Sequence, residues 1–156
     1  MKFTLLTFDT LDSTNTEALK QAKLGAGEGV CVVARQQTAG RGRYGRTWVS
    51  ERDAGLYFSV ILRPKLAVND LSLITLMAGV AVHTSLEELA VTADIKWVND
   101  VLVNEKKIAG ILAETTETDQ GLAVIVGIGI NLTSANFPPG LGMAGTCLKD
   151  VLPTPP

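Results

Sequence analysis

The sequence predicts an α+β fold: a mixed, largely antiparallel sheet flanked by helices. Three observations carry this. Four strand-like runs crowd the second half of the chain, over 95–97, 101–103, 108–115 and 122–130. The turn-forming tetrapeptides "NEKK" and "TDQG" separate the last three of them. Helical periodicity is confined to 13–27 and 70–89. Segregated strands of this kind indicate α+β, because a doubly wound parallel sheet would alternate each strand with a helix.

In chain order, residues 2–8 predict a first strand. Residues 13–27, "STNTEALKQAKLGAG", predict a helix, with Thr14 and Glu17 fitting a T-x-x-E capping box and glycines closing it. "GVCVVARQ" is a β-branched run that suits a buried strand, and "GLYFSVIL" is another, ended by Arg63-Pro64. The helix over 70–89 places Leu73, Leu76, Met77, Val80 and Ala81 at helical spacing, with Asp70 as its N-cap. Residues 138–156 are rich in Pro and Gly and read as a tail or linker. The 156 residues suit a single domain, 1–156.

Composition excludes several classes of function. With 46% hydrophobic and 19% charged residues, the chain is that of a soluble globular domain. A net charge of -2 argues against general nucleic-acid or membrane-surface binding. No segment reaches the ~20 apolar residues of a membrane helix, and no signal peptide is evident, so a cytoplasmic location is expected. Cys31 and Cys147 form no metal spacing, and His83 is the only histidine, which disfavours zinc and a His-based triad.

Against this acidic background, four of the six arginines fall between Arg35 and Arg46, with no Asp or Glu from Glu28 to Glu51. Gly40, Gly42 and Gly45 separate them in "QQTAGRGRYGRTW". One reading is an anion cradle, in which glycines let backbone N–H groups approach an oxyanion and arginines add forked donors. The other is a solvated basic turn, or a Gly/Arg segment that binds RNA. The stretch is not a P-loop, since no G-K-[ST] follows.

Three further stretches are ambiguous when taken alone. In "GIGINL", Gly127 and Gly129 either let a strand end pass close to a ligand or mark tight sheet packing. In "KWVND", Lys96 and Asp100 read locally as a surface pair and Trp97 as core. "KKIAGIL" carries two lysines on a strand, of which one would ordinarily point to solvent.

Taken in order, "DSTN", "QTAGRGRYGRTW", "KWVND", "KIAGIL" and "GIGIN" resemble the catalytic domain of biotin–protein ligases, from about residue 11 to 131. That resemblance implies a mixed sheet related to class II aminoacyl-tRNA synthetases. It also implies an ATP-dependent ligase that converts biotin to biotinyl-5′-AMP and passes it to a lysine of a biotin carboxyl carrier protein, in acetyl-CoA carboxylase or a related carboxylase. By resemblance, Ser13, Thr14, Asn15, Gln37, Gly40, Arg41, Lys107, Gly127 and Gly129 contact biotin. Arg43, Arg46, Trp48, Lys96, Asn99 and Asn131 contact ATP or the adenylate, and Arg41, Arg43 and Lys107 are the catalytic cations. Asp100 is the candidate ligand for Mg²⁺.

The chain departs from the family at Val98, where proline is usual. The expected organisation has no helix-turn-helix before the first strand and lacks the C-terminal SH3-like domain that the resemblance implies for the family. The expectation is therefore a ligase without DNA binding, pairing at most as a homodimer through sheet edges. The alternatives are a domain that binds biotin or biotinyl-AMP without full turnover, and a lipoate or octanoate ligase-like acyl transferase. If Arg43 retains the adenylate, Arg43→Gly releases it, and mass spectrometry finds more biotinylated bystander lysines than with the parent. Equal labelling by parent and variant would remove that role from Arg43.

Overall fold

The computed structural model describes residues 2–65, 70–134, 137 and 145–152. Its elements are β1 (Thr4–Phe8), α1 (Thr14–Lys23), β2 (Val30–Ala34), β3 (Gly55–Leu62), α2 (Ser72–Glu88), β4 (Asp94–Lys96), β5 (Asp100–Val103), β6 (Lys106–Thr118), β7 (Gly121–Asn131) and a short helical turn, α3 (Leu148–Val151). The strands form one seven-stranded sheet in the order β1-β2-β3-β7-β6-β5-β4. β1 and β2 run parallel, and the other neighbouring pairs are antiparallel. The mixed, largely antiparallel α+β class predicted from the sequence is the one observed.

Turn chemistry sets the hairpins. Asn104 and Glu105 both take positive φ, 49° and 63°, as a tight connection between twisted strands requires. Gly121 (φ 88°) closes the β6–β7 turn.

The helices lie on opposite faces of the sheet. Ala18 and Ala22, one helical turn apart and fully buried, seat α1 on Val32, Ile61, Ala123 and Ile125. On the other face α2 packs Ile74, Val82 and Leu86 against Val101, Ile111, Val124 and Val126. Fully burying aliphatic side chains of this size contributes roughly 1.5–3 kcal/mol each.

Several local expectations are corrected. The Thr14–Glu17 capping box does not form: the N-cap is Ser13, with no side-chain cap bond. Thr14 Oγ1 turns to Gln37, while Glu17 accepts from Gln21 Nε2 at 2.7 Å. Asp70 does not cap α2, whose N-cap is Leu71. The buried face of α2 also differs from the expected one, for Leu73 and Met77 are 48% and 64% exposed. The reason is visible in the sequence: α2 is apolar nearly all round, so spacing alone cannot select the inward stripe.

Part of the expected 138–156 tail is docked. Gly145 bridges to Lys107, and Thr146 and Cys147 are buried. The rest of that stretch lies outside the described residues. No helix among the described residues is long and apolar enough to cross a membrane.

Candidate functional site

On the face that carries α1, alternate residues of β7 run Ala123, Ile125, Gly127, Gly129, Asn131. The first two lie under the helix. Beyond them the side chains vanish, and β6 supplies Gly110 directly opposite Gly129. This strip of bare backbone floors a cavity of about 880 Å³, which the N-terminal residues of α1 and the loop before β3 also line.

Two side chains fill the space the glycines leave. Asn15 rests on Gly127, and the Trp48 indole lies over Gly129 and Gly110. A Cβ on Gly110 would stand 2.9 Å from Trp48 Cζ3, and one on Gly127 or Gly129 would overlap Asn15 or Trp48 outright. The glycines are therefore required by close approach of neighbouring groups.

The arginine–glycine segment is a small hairpin. Arg41 and Thr47 form an antiparallel bridge, and Gly42 N–H donates to Arg46 O at 2.7 Å. Tyr44 (φ 55°) and Gly45 (φ 71°) turn its tip. Arg41, Arg43 and Arg46 line the cavity, and so do Lys96 and Lys107. Five cations thus line the cavity with one carboxylate, Asp100, in a chain whose net charge is -2. That is a strong local field for an anion.

Arg35, the first arginine of the cluster, belongs elsewhere. With Arg52 it forms a surface lattice on Asp9 and Asp53, through bonds of 2.6–2.7 Å from Arg35 to Asp53 and from Arg52 to Asp9. The hydrogen bond from Arg52 holds the Asp9 carboxyl below its ordinary range, and that from Arg35 does the same for Asp53.

The choice between Lys106 and Lys107 is made by a β-bulge. Leu102 pairs with Lys107 and Val101 with Ala109, so Ile108 has no opposite number. The extra residue reverses the parity of β6 and turns Lys107, not Lys106, inward. Its Nζ sits 2.7 Å from Asp100 Oδ1 and 5.1 Å from the centroid of the Trp48 ring.

The wall beside α1 is a chain of buried polar groups. Gln37 Oε1 accepts from Thr14 N–H at 2.7 Å, and Gln37 Nε2 donates to Ser50 Oγ at 2.7 Å. Thr14 Oγ1 lies 3.1 Å from Gln37 Oε1 and 2.8 Å from Ser59 Oγ, which is 2.6 Å from Asn15 Oδ1. Asn15 Nδ2 donates to Leu112 O and Glu114 Oε2. Both amide oxygens can only accept. The two hydroxyls of Thr14 and Ser59 therefore bring two hydrogens to three contacts. Gln37 Oε1 and Asn15 Oδ1 are each served when Thr14 donates to the first and Ser59 to the second, and the contact left without a hydrogen is then the one between the two hydroxyls.

Of the residues singled out in the sequence, Ser13, Thr14, Asn15, Gln37, Arg41, Arg43, Arg46, Trp48, Lys96, Asn99, Asp100, Lys107, Gly127, Gly129 and Asn131 all line the cavity. Gly40 does not. It packs behind the wall against Trp48 O and Ser50, and its carbonyl accepts from Trp48 N–H. Asn15 is present but has both Nδ2 hydrogens taken by the protein. Trp97, expected in the core, is 67% exposed. Asn99 is tied down on both sides of Ile111, whose N–H donates to Asn99 O and whose carbonyl accepts from Asn99 Nδ2. Asn131 Nδ2 donates to Lys107 O and Thr146 O.

The arrangement does not fit a resident metal ion. Among the described residues no three His, Cys, Asp or Glu side chains cluster, and Asp100 is paired with Lys107. Asp100 itself lines the cavity beside Lys107.

Sequence reasoning missed Ser59, Ser50 and Glu114. Ser59 is the lone hydroxyl inside the apolar run "GLYFSVIL", and that interruption was the available signal. Glu114 shares the parity of Gly110 on β6, which alternation along the strand would have revealed.

The family model described as "Biotin/lipoate A/B protein ligase family" matches residues 7–131. The bifunctional ligase/repressor BirA of Bacillus subtilis is 45% identical over 149 residues, covering 93% of this chain and 46% of that protein. The biotin–[acetyl-CoA-carboxylase] ligase of Paracoccus denitrificans is 43% identical over 129 residues, covering 80% of this chain and 52% of its own. The structure of the Aquifex aeolicus biotin protein ligase in complex with biotin and ATP superposes with a TM-score of 0.82 at 36% identity, over 99% of this chain and 63% of that one. The chain spans about half the length of the curated relatives it matches.

Gly129→Ala is expected to push Trp48 off the cavity floor. Overpacking of this kind should lower stability by ~1–3 kcal/mol in urea denaturation. It should also red-shift Trp48 emission, read in a Trp97→Phe background. An unchanged spectrum with an unchanged midpoint would show that Trp48 does not rest on Gly129.

Proposed function

Because the chain belongs to the biotin/lipoate A/B protein ligase family, we propose that it activates biotin with ATP and transfers it to a lysine of a biotin carboxyl carrier protein. The observation that carries this reading is the cavity's two-ended chemistry. At one end is a partly buried polar wall of amides and hydroxyls, Thr14, Asn15, Gln37 and Ser59, and at the other is a cluster of cations. Biotin has the matching ends: a ureido group with two N–H donors, and a carboxylate. The apolar stretch between them suits Leu112 and the glycine floor, which also line the cavity.

In the first step a carboxylate oxygen of biotin attacks the α-phosphorus of ATP. The bond to the β-phosphate oxygen breaks, giving biotinyl-5′-AMP and pyrophosphate. Arg41 and Lys107 hold the carboxylate, while Arg43, Arg46 and Lys96 hold the phosphates. Removing one such preorganised donor typically costs ~10²–10³ in rate. In the second step the neutral amine of the acceptor lysine attacks the acyl carbon. AMP leaves, and the amine's proton passes to solvent.

Trp48, Asn99 and Asn131 face the nucleotide in this reading, and Ser13, Thr14 and Gln37 face the ureido group. A site that pairs such polar groups discriminates by ~10⁴ or more against analogues lacking them. ATP enters as its magnesium complex, and the ion is part of the substrate. No covalent enzyme intermediate is required, because holding two reactants in register supplies much of the acceleration.

The test is biotin-dependent exchange of pyrophosphate into ATP by the purified chain. Exchange that requires biotin supports activation. Biotin binding without exchange would assign the domain to binding alone, and exchange driven by lipoate in place of biotin would move it to the lipoate branch of the family.

A further inference from the structure

Glu114 joins two parts of the cavity that the chain brings from far apart. Its Oε2 accepts from Asn15 Nδ2 at 2.8 Å and from Arg41 Nη2 at 2.6 Å. Asn15 is in turn fixed on Leu112 O and Ser59, so this end of the link is rigid. The other end is not rigid by itself, because Arg41 sits between Gly40 and Gly42 on the hairpin loop. The side chains of Arg41 and Glu114 are 40% and 26% exposed, so the bond is partly shielded and charge-assisted. Glu114 takes one guanidinium nitrogen. Among the described residues no other hydrogen bond of the Arg41 side chain is seen, and that side chain lines the cavity.

We infer that Glu114 is a positioning residue. It anchors the Arg41 guanidinium to the Asn15 end of the polar wall, and so fixes the distance between the group that grips the ligand's carboxylate and the groups that grip its other end. The inference rests on the proposed biotin-activating function. Without the anchor, an arginine flanked by two glycines samples many positions, and near-attack geometry is lost. A second consequence is that the loop and the polar wall respond to a ligand together, since both bonds converge on one oxygen.

The experiment compares the parent, Glu114→Ala, Glu114→Gln, Arg41→Ala and the Glu114→Ala/Arg41→Ala pair. Two readouts are taken: kcat/KM for biotin in pyrophosphate exchange, and amide hydrogen exchange of residues 40–47 in the ligand-free chains. Loss of a charge-assisted bond predicts a roughly ten- to hundredfold fall in kcat/KM for Glu114→Ala. Glu114→Gln, which still accepts a hydrogen bond, recovers a large part of it. In the Arg41→Ala background the effect of Glu114→Ala shrinks to about twofold or less, because the residue it acts through is gone. The loop amides of Glu114→Ala exchange faster than those of the parent. An undiminished effect in the Arg41→Ala background, or loop exchange equal to the parent's, overturns the inference. If the parent shows no biotin-dependent exchange, the functional reading itself fails. Loop exchange alone then decides the anchor, faster in Glu114→Ala if it exists and unchanged if it does not.

Discussion

The site depends on backbone that carries no side chains. Gly110, Gly127 and Gly129 lie on one face of β6 and β7, and any Cβ there would displace Trp48 or Asn15. Close approach to that strip lets Trp48 lie flat over the sheet. Lys107 then sits over the ring, and Asp100 sits beside Lys107. The same absence of side chains lets the first turn of α1 press Asn15 onto the sheet, and from Asn15 the polar wall extends to Gln37 and Ser50. A methyl group in the strip would therefore disturb both ends of the cavity, and at Gly110 it would also crowd Lys107, 3.2 Å from Nζ.

The second constraint is electrostatic, and the two arginine populations separate on it. Arg35 and Arg52 are neutralised on the surface by Asp9 and Asp53, and exposed pairs of this kind contribute little to stability. Arg43 and Arg46 face the cavity without a carboxylate partner among the described ion pairs. Arg41 lies between the two groups, with one nitrogen on Glu114 and its remaining donors free for the cavity. Cations held in a concave site without counter-ions oppose folding by mutual repulsion, and an anionic ligand relieves that repulsion. The acidic composition of the rest of the chain keeps this positive field local.

Much of the architecture was legible because strands report through strict alternation and turns through their residue types. "GLYFSVIL" became β3 with the bounds the sequence suggested, and "GIGIN" marked the floor through its two glycines. What escaped depended on tertiary contacts. The inward stripe of α2 could not be chosen from an all-round apolar helix. Thr14 met the requirements of a capping box, but Gln37, in the loop after β2, and Ser59 of β3 engage its hydroxyl instead. Lys106 and Lys107 are adjacent and identical, and only the bulge at Ile108 decides which one faces the cavity. Glu114 looked like one polar residue in an ordinary alternating strand until its two partners were placed against it.

The central claim is that this chain by itself forms a site for a ligand with a ureido head and a carboxylate tail. Calorimetric titration of biotin into the purified chain, with lipoate as the comparison, tests it most directly. The account predicts saturable binding of one biotin per chain and no measurable heat with lipoate, which has a carboxylate but no ureido group to pair with the polar wall. Absence of biotin binding, or equal binding of the two acids, would contradict it.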